Sequence, residues 1–324
     1  MQMSPLAVPN GVDKIAPAKR RGYIRNQLDL LRSRRSRKDA VWAFLFLAPQ
    51  LIGLLVFCVY PVFDAFRISL TDWTGFGAYN YVGLENYRDQ LADPVFRKAL
   101  KNTALFTLIG VPGSVIGAFV LAVAVNSIRG RMIYRVIFFL PTVTSSVAIS
   151  MIWMLMLNGQ FGLVNSWIER VFGVQAPNWF VDKAWVIPTI ALIAIWQSVG
   201  YNMVIFLAGL QGIPRTYYEA ASLDGAGRWR LFRDITIPLV SPTTFLVTVL
   251  SVIGSFQVFD FIYVATGGGP GYASRTMVFH IYDLGFGEFQ FGLSSASAII
   301  LFGIILAFTA FQFWGQRKWV NYDM

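Results

Sequence analysis

Charge is scarce in this chain, and reactive side chains are scarcer still. Only 14% of its 324 residues are charged, against about 25% in soluble domains. Cys58 is the single cysteine, so no disulfide and no cysteine-based metal site can form within the chain. His280 is the single histidine, which excludes two-histidine metal sites. No Gly-Lys pair occurs, so the loop G-x-x-x-x-G-K-S/T that cradles nucleotide phosphates is absent. Gly267-Gly268-Gly269-Pro270 is glycine-rich, but it lacks the lysine and reads as a turn. There is no tandem repeat and no low-complexity tract.

What fills the chain is apolar. Hydrophobic residues make up 56% of it, and the mean hydropathy is +0.55. A helix needs about 20 apolar residues to cross the hydrocarbon core. Six stretches meet that need: roughly Ala40–Tyr60, Thr103–Val125, Ile133–Leu157, Trp185–Leu210, Thr243–Ala265 and Ser295–Trp314. Trp42, Tyr60, Trp185 and Trp314 stand at their ends, as interfacial aromatics do. Pro49, Pro112, Pro141 and Pro188 fall in or near them, where neighbouring helices can resatisfy a broken backbone. The expected fold is an all-α polytopic membrane protein of six transmembrane helices.

The net charge of +10 does not point to nucleic acid, because the basic residues gather on one side of the spans. The leader, residues 1–39, holds Lys14, Lys19, Arg20, Arg21, Arg25, Arg32, Arg34, Arg35, Arg37 and Lys38. Placed in the cytoplasm, it is joined there by Arg129, Arg131, Arg135, Arg215, Arg228, Arg230, Arg233, Arg317 and Lys318. The other side keeps Arg67, Arg88, Arg97, Lys98, Lys101, Arg170, Lys183 and Arg275. Both termini are thereby expected in the cytoplasm, with the loop from about 64 to 101 outside. The leader lacks the early apolar run of a secretory signal, so the first span reads as a retained anchor. Ile24, Leu28 and Leu31 suit a short helix on the inner leaflet. A disordered basic tail fits equally well.

Residues 40–324 form the expected transmembrane domain, and one polar island interrupts it at about 211–242. Thr216 to Glu219 fits a capping box, with Thr216 at the N-cap. Asp224-Gly225 should stop that helix, and Arg228 to Ile235 can form a second. Capping alone does not account for small residues at Ala220, Ala221, Gly225, Ala226 and Gly227 together. Such a run lets another backbone approach closely, as in a docking surface.

This island resembles the EAA motif of ABC-importer permeases: Glu219, Ala220, Ala221, Gly225, Ile235 and Pro238 match it in order and spacing. The wider chain resembles the carbohydrate branch of that family, the type of the maltose permease's larger subunit. Residues 82–87, 135–141, 195–196, 208–214 and 267–270 carry that resemblance. It implies a type I ABC-importer fold in which Glu219, Ala220, Ala221, Asp224, Gly225 and Ala226 dock on a cytoplasmic ATPase. It further implies a second permease subunit, two ATPase copies and an extracytoplasmic sugar-binding protein. The chain itself would hold no cofactor, with ATP and Mg2+ used by the ATPase, and the location would be a bacterial inner membrane.

Polar side chains inside spans mark pathways or bridge helices. Gln197, Ser198, Tyr201 and Asn202 cluster in the fourth span, and Ser255 and Gln257 lie in the fifth. These are the expected substrate-path residues, with Trp196, Tyr201, Phe256 and Tyr263 as faces for sugar rings. The resemblance puts Gln197, Ser198, Tyr201, Ser255 and Val258 on sugar-contact positions, and its asparagines fall on Ala194 and Val258. Asp260 lies nearer the outer end and reads as solvated. An ion-coupled secondary sugar transporter is the alternative, but it needs titratable groups at mid-membrane. A membrane enzyme needs paired carboxylates, and Asp64 with Asp72 and Asp89 with Asp93 read as loop solvation. The sequence leaves the sugar open among maltose-like oligosaccharides, glycerol phosphate and alginate-like polymers, although basic groups within the spans are few.

Overall fold

The computed structural model describes residues 34–321, with side chains from Val41 onward. The leader's expected surface helix at Ile24–Leu31 lies outside the described residues. The chain divides into two units at Phe63/Asp64. The first carries α1 (Arg34–Leu54), with Pro49 inside it, and a π-helical turn at Leu55–Val59. The helix runs on as α2 (Tyr60–Ile68) into the second unit.

In the second unit, α3 (Glu85–Ala92) precedes the long α4 (Pro94–Ser127). At about 1.5 Å per residue, α4's 34 residues reach well beyond a hydrocarbon core of about 30 Å. It starts earlier than apolarity alone indicates, and shortens the loop expected to run to residue 101. Asp93 caps it, accepting from the amides of Val95 (3.0 Å) and Phe96 (2.9 Å), with Pro94 in the first turn. Its first two turns are amphipathic: Phe96, Ala99, Asn102 and Thr103 are buried, while Arg97, Lys98 and Lys101 are exposed.

The third expected span is broken. Helices α5 (Arg131–Val143) and α6 (Ser146–Met156) meet at a bend of 95°. Five helices are long and apolar enough to cross alone, and the bent pair makes up to six spans. Helix α7 (Leu163–Phe172) follows, then α8 (Val186–Gly212). A polar hairpin of α9 (Arg215–Leu223), α10 (Arg228–Leu231) and α11 (Ile237–Leu239) leads to α12 (Ser241–Phe256) and α13 (Asp260–Ala265). Helix α14 (Met277–Tyr282) and α15 (Phe291–Gly315) complete the bundle. No strand occurs among the described residues; Thr71 and Tyr81 form one isolated bridge.

Lipid is as apolar as leucine, so close packing rather than water exclusion joins these helices. Helices α4 and α8 pack through small residues. Ala118 and Ala122 are fully buried, and Gly117 lies under Val199. Met203, Phe206 and Leu207 fill the seam. Gly200 lets α5 approach α8, because a Cβ there would run into the carbonyl of Phe138.

Candidate functional sites: a docking hairpin and an intramembrane cleft

The hairpin is closed by backbone geometry. Gly225 takes a φ of +78° immediately after α9. The Ala226 amide donates to the carbonyl of Ala221 (2.9 Å) and the Gly225 amide to that of Ser222 (3.1 Å). This pair of bonds is the Schellman motif, and it bears out Asp224-Gly225 as the helix stop. The expected capping box does not form. Pro214 occupies the N-cap and α9 begins at Arg215, which carries Thr216 inside the first turn. A residue there is already helical, so its hydroxyl cannot reach the free amides as a cap does.

One contact closes the hairpin on itself and another ties it to the bundle. The Tyr218 hydroxyl lies 3.0 Å from the Thr236 hydroxyl, and Phe232 stacks on Phe119 of α4. Tyr218 also packs against the core that holds Phe206 and Val240. The second helix is shorter than expected. After Leu231 the chain widens into a π-helical turn at Phe232–Thr236.

The outer face of the hairpin is open. Glu219, Ala220, Asp224 and Gly225 are exposed, and Ala221 and Ala226 are half-buried. Leu223 is 90% exposed and Trp229 73%. Ala221, Asp224, Ala226, Arg230, Asp234 and Ile235 line a shallow groove. Arg230 and Asp234 approach only to 3.7 Å and both are exposed, so that pair adds little stability.

The second site is a cleft of about 370 Å³ between α4, α8, α12 and α13. It sits at an interruption. Helix α12 ends at Phe256, Phe259 has φ −137° and ψ −58°, and α13 starts at Asp260. Thr276 Oγ1 donates to the freed carbonyl of Val258 at 3.1 Å. Irregular backbone at membrane depth is tolerated where it lines a cavity or is buried in protein.

All six expected path residues line this cleft, together with Ser114, Ser146, Ser251 and Asp260. They divide into two groups. Asn202 is buried and donates to Ser114 Oγ (2.6 Å) and Ser251 Oγ (3.2 Å). Ser198 lies 3.2 Å from Ser114, and Ser255 donates to Thr107 (2.9 Å). Gln197 Nε2 donates to the Thr144 carbonyl (3.2 Å) and to Ser146 Oγ (3.3 Å), holding the bend between α5 and α6. Tyr201 and Gln257 are exposed to the cleft, and their side chains make no hydrogen bond among the described residues.

The expected aromatic faces are rearranged. Trp196 meets Trp153 edge-on at 5.6 Å, and Phe256 is 3% exposed beneath Phe308. Tyr263 sits in an aromatic group with Phe259 and Tyr282. Of the four, only Tyr201 lines the cleft, where Phe106, Phe259 and Phe261 join it. Sequence reasoning also missed Ser114 and Ser251, although a serine within an apolar span is itself a signal.

A third polar group went unread. Arg275 is 6% exposed and pairs with Asp283 at 2.7 Å. Its Nε donates to His280 Nδ1 (3.1 Å), and the other histidine nitrogen lies 2.9 Å from Gln90 Oε1, which also accepts from Ser297. Asn102 of α4 donates to the Arg275 carbonyl at 2.9 Å. Burial, and secondly the Arg275 charge, push the His280 pKa down to about 4.

Among the described residues, an all-helical bundle with a broken span, a mid-bundle cleft and an exposed hairpin has the architecture of a membrane transport permease. The family model described as "binding-protein-dependent transport system inner membrane component" matches residues 110–320, and the chain belongs to that family. It is 36% identical over 287 residues to the sn-glycerol-3-phosphate transport system permease protein of Agrobacterium fabrum, covering 88% of this chain and 97% of the relative. It is 34% identical over 284 residues to the trehalose/maltose transport system permease protein of Thermococcus litoralis, covering 86% and 95%. A chain of a bacterial alginate ABC transporter, solved with its alginate pentasaccharide-bound periplasmic protein, superposes with a TM-score of 0.78 at 22% identity, covering 88% and 96%. The fold is therefore that of an ABC-importer permease. Family membership displaces the ion-coupled secondary transporter.

Proposed function

We propose that this chain is the permease subunit of an ATP-driven carbohydrate importer and supplies half of its translocation path. The observation that carries the reading is the hairpin: a backbone-closed helix pair, open on its outer face and anchored to helices α4 and α8 that line the cleft. A stiff element with that anchorage transmits displacement as one body. An ATPase subunit docked on Glu219–Ala226 and hydrolysing ATP with Mg2+ would move the cleft between inward and outward openings. The chain would form and break no bond in its cargo. A second permease closes the cleft, two ATPase copies engage the two hairpins, and an extracytoplasmic binding protein delivers the sugar. The lysine and arginine pattern supports a cytoplasmic hairpin and cytoplasmic termini, and the proposed location is a bacterial inner membrane.

Carbohydrate is the favoured cargo because the cleft offers amides, hydroxyls, a carboxylate and aromatic rings, the groups that pair with sugar hydroxyls and ring faces. The test is reconstitution with the partner subunits. A crosslinker placed at Ala220 should capture the ATPase, and Gly225→Val should abolish sugar-stimulated ATP hydrolysis. Capture of no ATPase from Ala220, with full stimulation in Gly225→Val, would defeat the reading.

A further inference from the structure

Asp260 is the carboxylate of the cleft wall, and its charge has consequences beyond pairing with sugar hydroxyls. The sequence reading set it aside as solvated near the end of its span. The structure places it on the cleft wall, at the first position after the interruption in the fifth span. It is exposed to the cleft, and its carboxylate has neither an ion pair nor a hydrogen bond among the described residues. Tyr201 and Gln257, the other two unengaged polar side chains, line the same cavity.

The surroundings hold no positive charge. No lysine or arginine lines the cleft. Between Asn102 and Ser127, Val186 and Gly212, Ser241 and Ala265, and Phe291 and Gly315, Asp260 is the only Asp, Glu, Lys or Arg. Arg275, the buried arginine nearest in sequence, is turned to Asp283 and His280 instead. An anionic solute in this half of the path meets one fixed carboxylate, no counter-charge and low-dielectric walls, where like charges repel strongly. A neutral polyol meets the opposite: a carboxylate accepts short, charge-assisted bonds from hydroxyl groups.

We infer that Asp260 makes this permease selective for uncharged polyhydroxylated solutes, accepting hydrogen bonds from their hydroxyl groups and excluding phosphorylated or uronic-acid sugars. This deepens the carbohydrate reading and rests on it.

The test uses the assembled complex of this chain with its paired permease and ATPase subunits, without binding protein, so that the cleft alone is read. Equilibrium binding is measured for a panel of neutral di- and trisaccharides, for sn-glycerol 3-phosphate and for a uronate trisaccharide. At least one neutral sugar should bind about tenfold tighter than either anion. Asp260→Asn should narrow that gap by roughly threefold or more, weakening the neutral sugar while admitting the anions. An anion that binds the wild-type complex as tightly as the best neutral sugar overturns the inference, and needs no variant. So does an unchanged gap in Asp260→Asn. Failure of the carbohydrate reading has a different signature: no solute of either charge binds or stimulates ATP hydrolysis, and the inference falls with it.

Discussion

Two polar regions sit inside this apolar bundle, and they are finished to different degrees. Around Arg275 every group is answered: Asp283 pairs with the guanidinium, His280 Nδ1 accepts a hydrogen bond from its Nε, and Gln90 accepts from both His280 and Ser297. Around the cleft the answering stops partway. Asn202, Ser114, Ser251, Ser255 and Gln197 bridge helices, whereas the side chains of Tyr201, Gln257 and Asp260 face the cavity without hydrogen-bond partners among the described residues. A closed network fixes one arrangement, because any change strands a buried polar group. An open one keeps hydrogen-bonding capacity in reserve for a solute. Closed networks should govern stability and open ones transport.

The hardest test of that contrast is Arg275→Met. It should cost about 3 kcal/mol, the low end for removing one partner of a buried pair, because Asp283 and His280 lose their donor but Asp283 is 34% exposed. Thermal melting in detergent reads it. A melting point unchanged in Arg275→Met would break the comparison at its firmest place.

Acid tests the same network without mutation. The folded His280 pKa is about 4 against an ordinary 6.5. Between those values the unfolded chain takes up a proton that the folded protein declines. Stability should therefore be flat above pH 6.5, fall as pH drops from 6.5 to 4, and level off below. The loss is on the order of 3 kcal/mol at 1.36 kcal/mol per pH unit. His280→Gln should flatten that slope in a melting series.

Asn202→Ala is intermediate, since it removes bonds to Ser114 and Ser251 at the α4–α8–α12 junction. Interhelical bonds in membranes average about 0.6 kcal/mol and reach about 1.7. A loss in that range by melting, with assembly intact, would place Asn202 with the scaffold.

How much of this was legible follows the physics of each element. The straight spans announced themselves, because about 20 apolar residues in a row have few other fates. The start of α4 did not: Arg97, Lys98 and Lys101 lower local apolarity, although they share one exposed face. The 95° bend was hidden because only Thr144 and Ser145 separate two apolar helices, and Gln197, far along the chain, satisfies the break. The capping box was misread for a local reason, since Pro214 holds the N-cap geometry two residues before Thr216. The six expected path residues share one cleft. What divides them into bridging and free groups depends on serines and threonines of other helices, which spacing within one span cannot supply.

The smallest stability effect is the sharpest functional test. Gln257 stands at the interruption of the fifth span, exposed to the cleft, with its amide unengaged among the described residues. Gln257→Ala therefore strands no partner, and melting should move by no more than about 0.5 kcal/mol, as for an uninvolved surface site. Sugar affinity should nonetheless fall by roughly 5- to 10-fold, the worth of one neutral hydrogen bond of about 1–1.5 kcal/mol. Equilibrium binding beside a melting curve on the same preparation separates the two readouts. A variant that melts early but binds normally would move Gln257 into the scaffold, and the division between closed and open networks would then no longer coincide with the division between stability and transport.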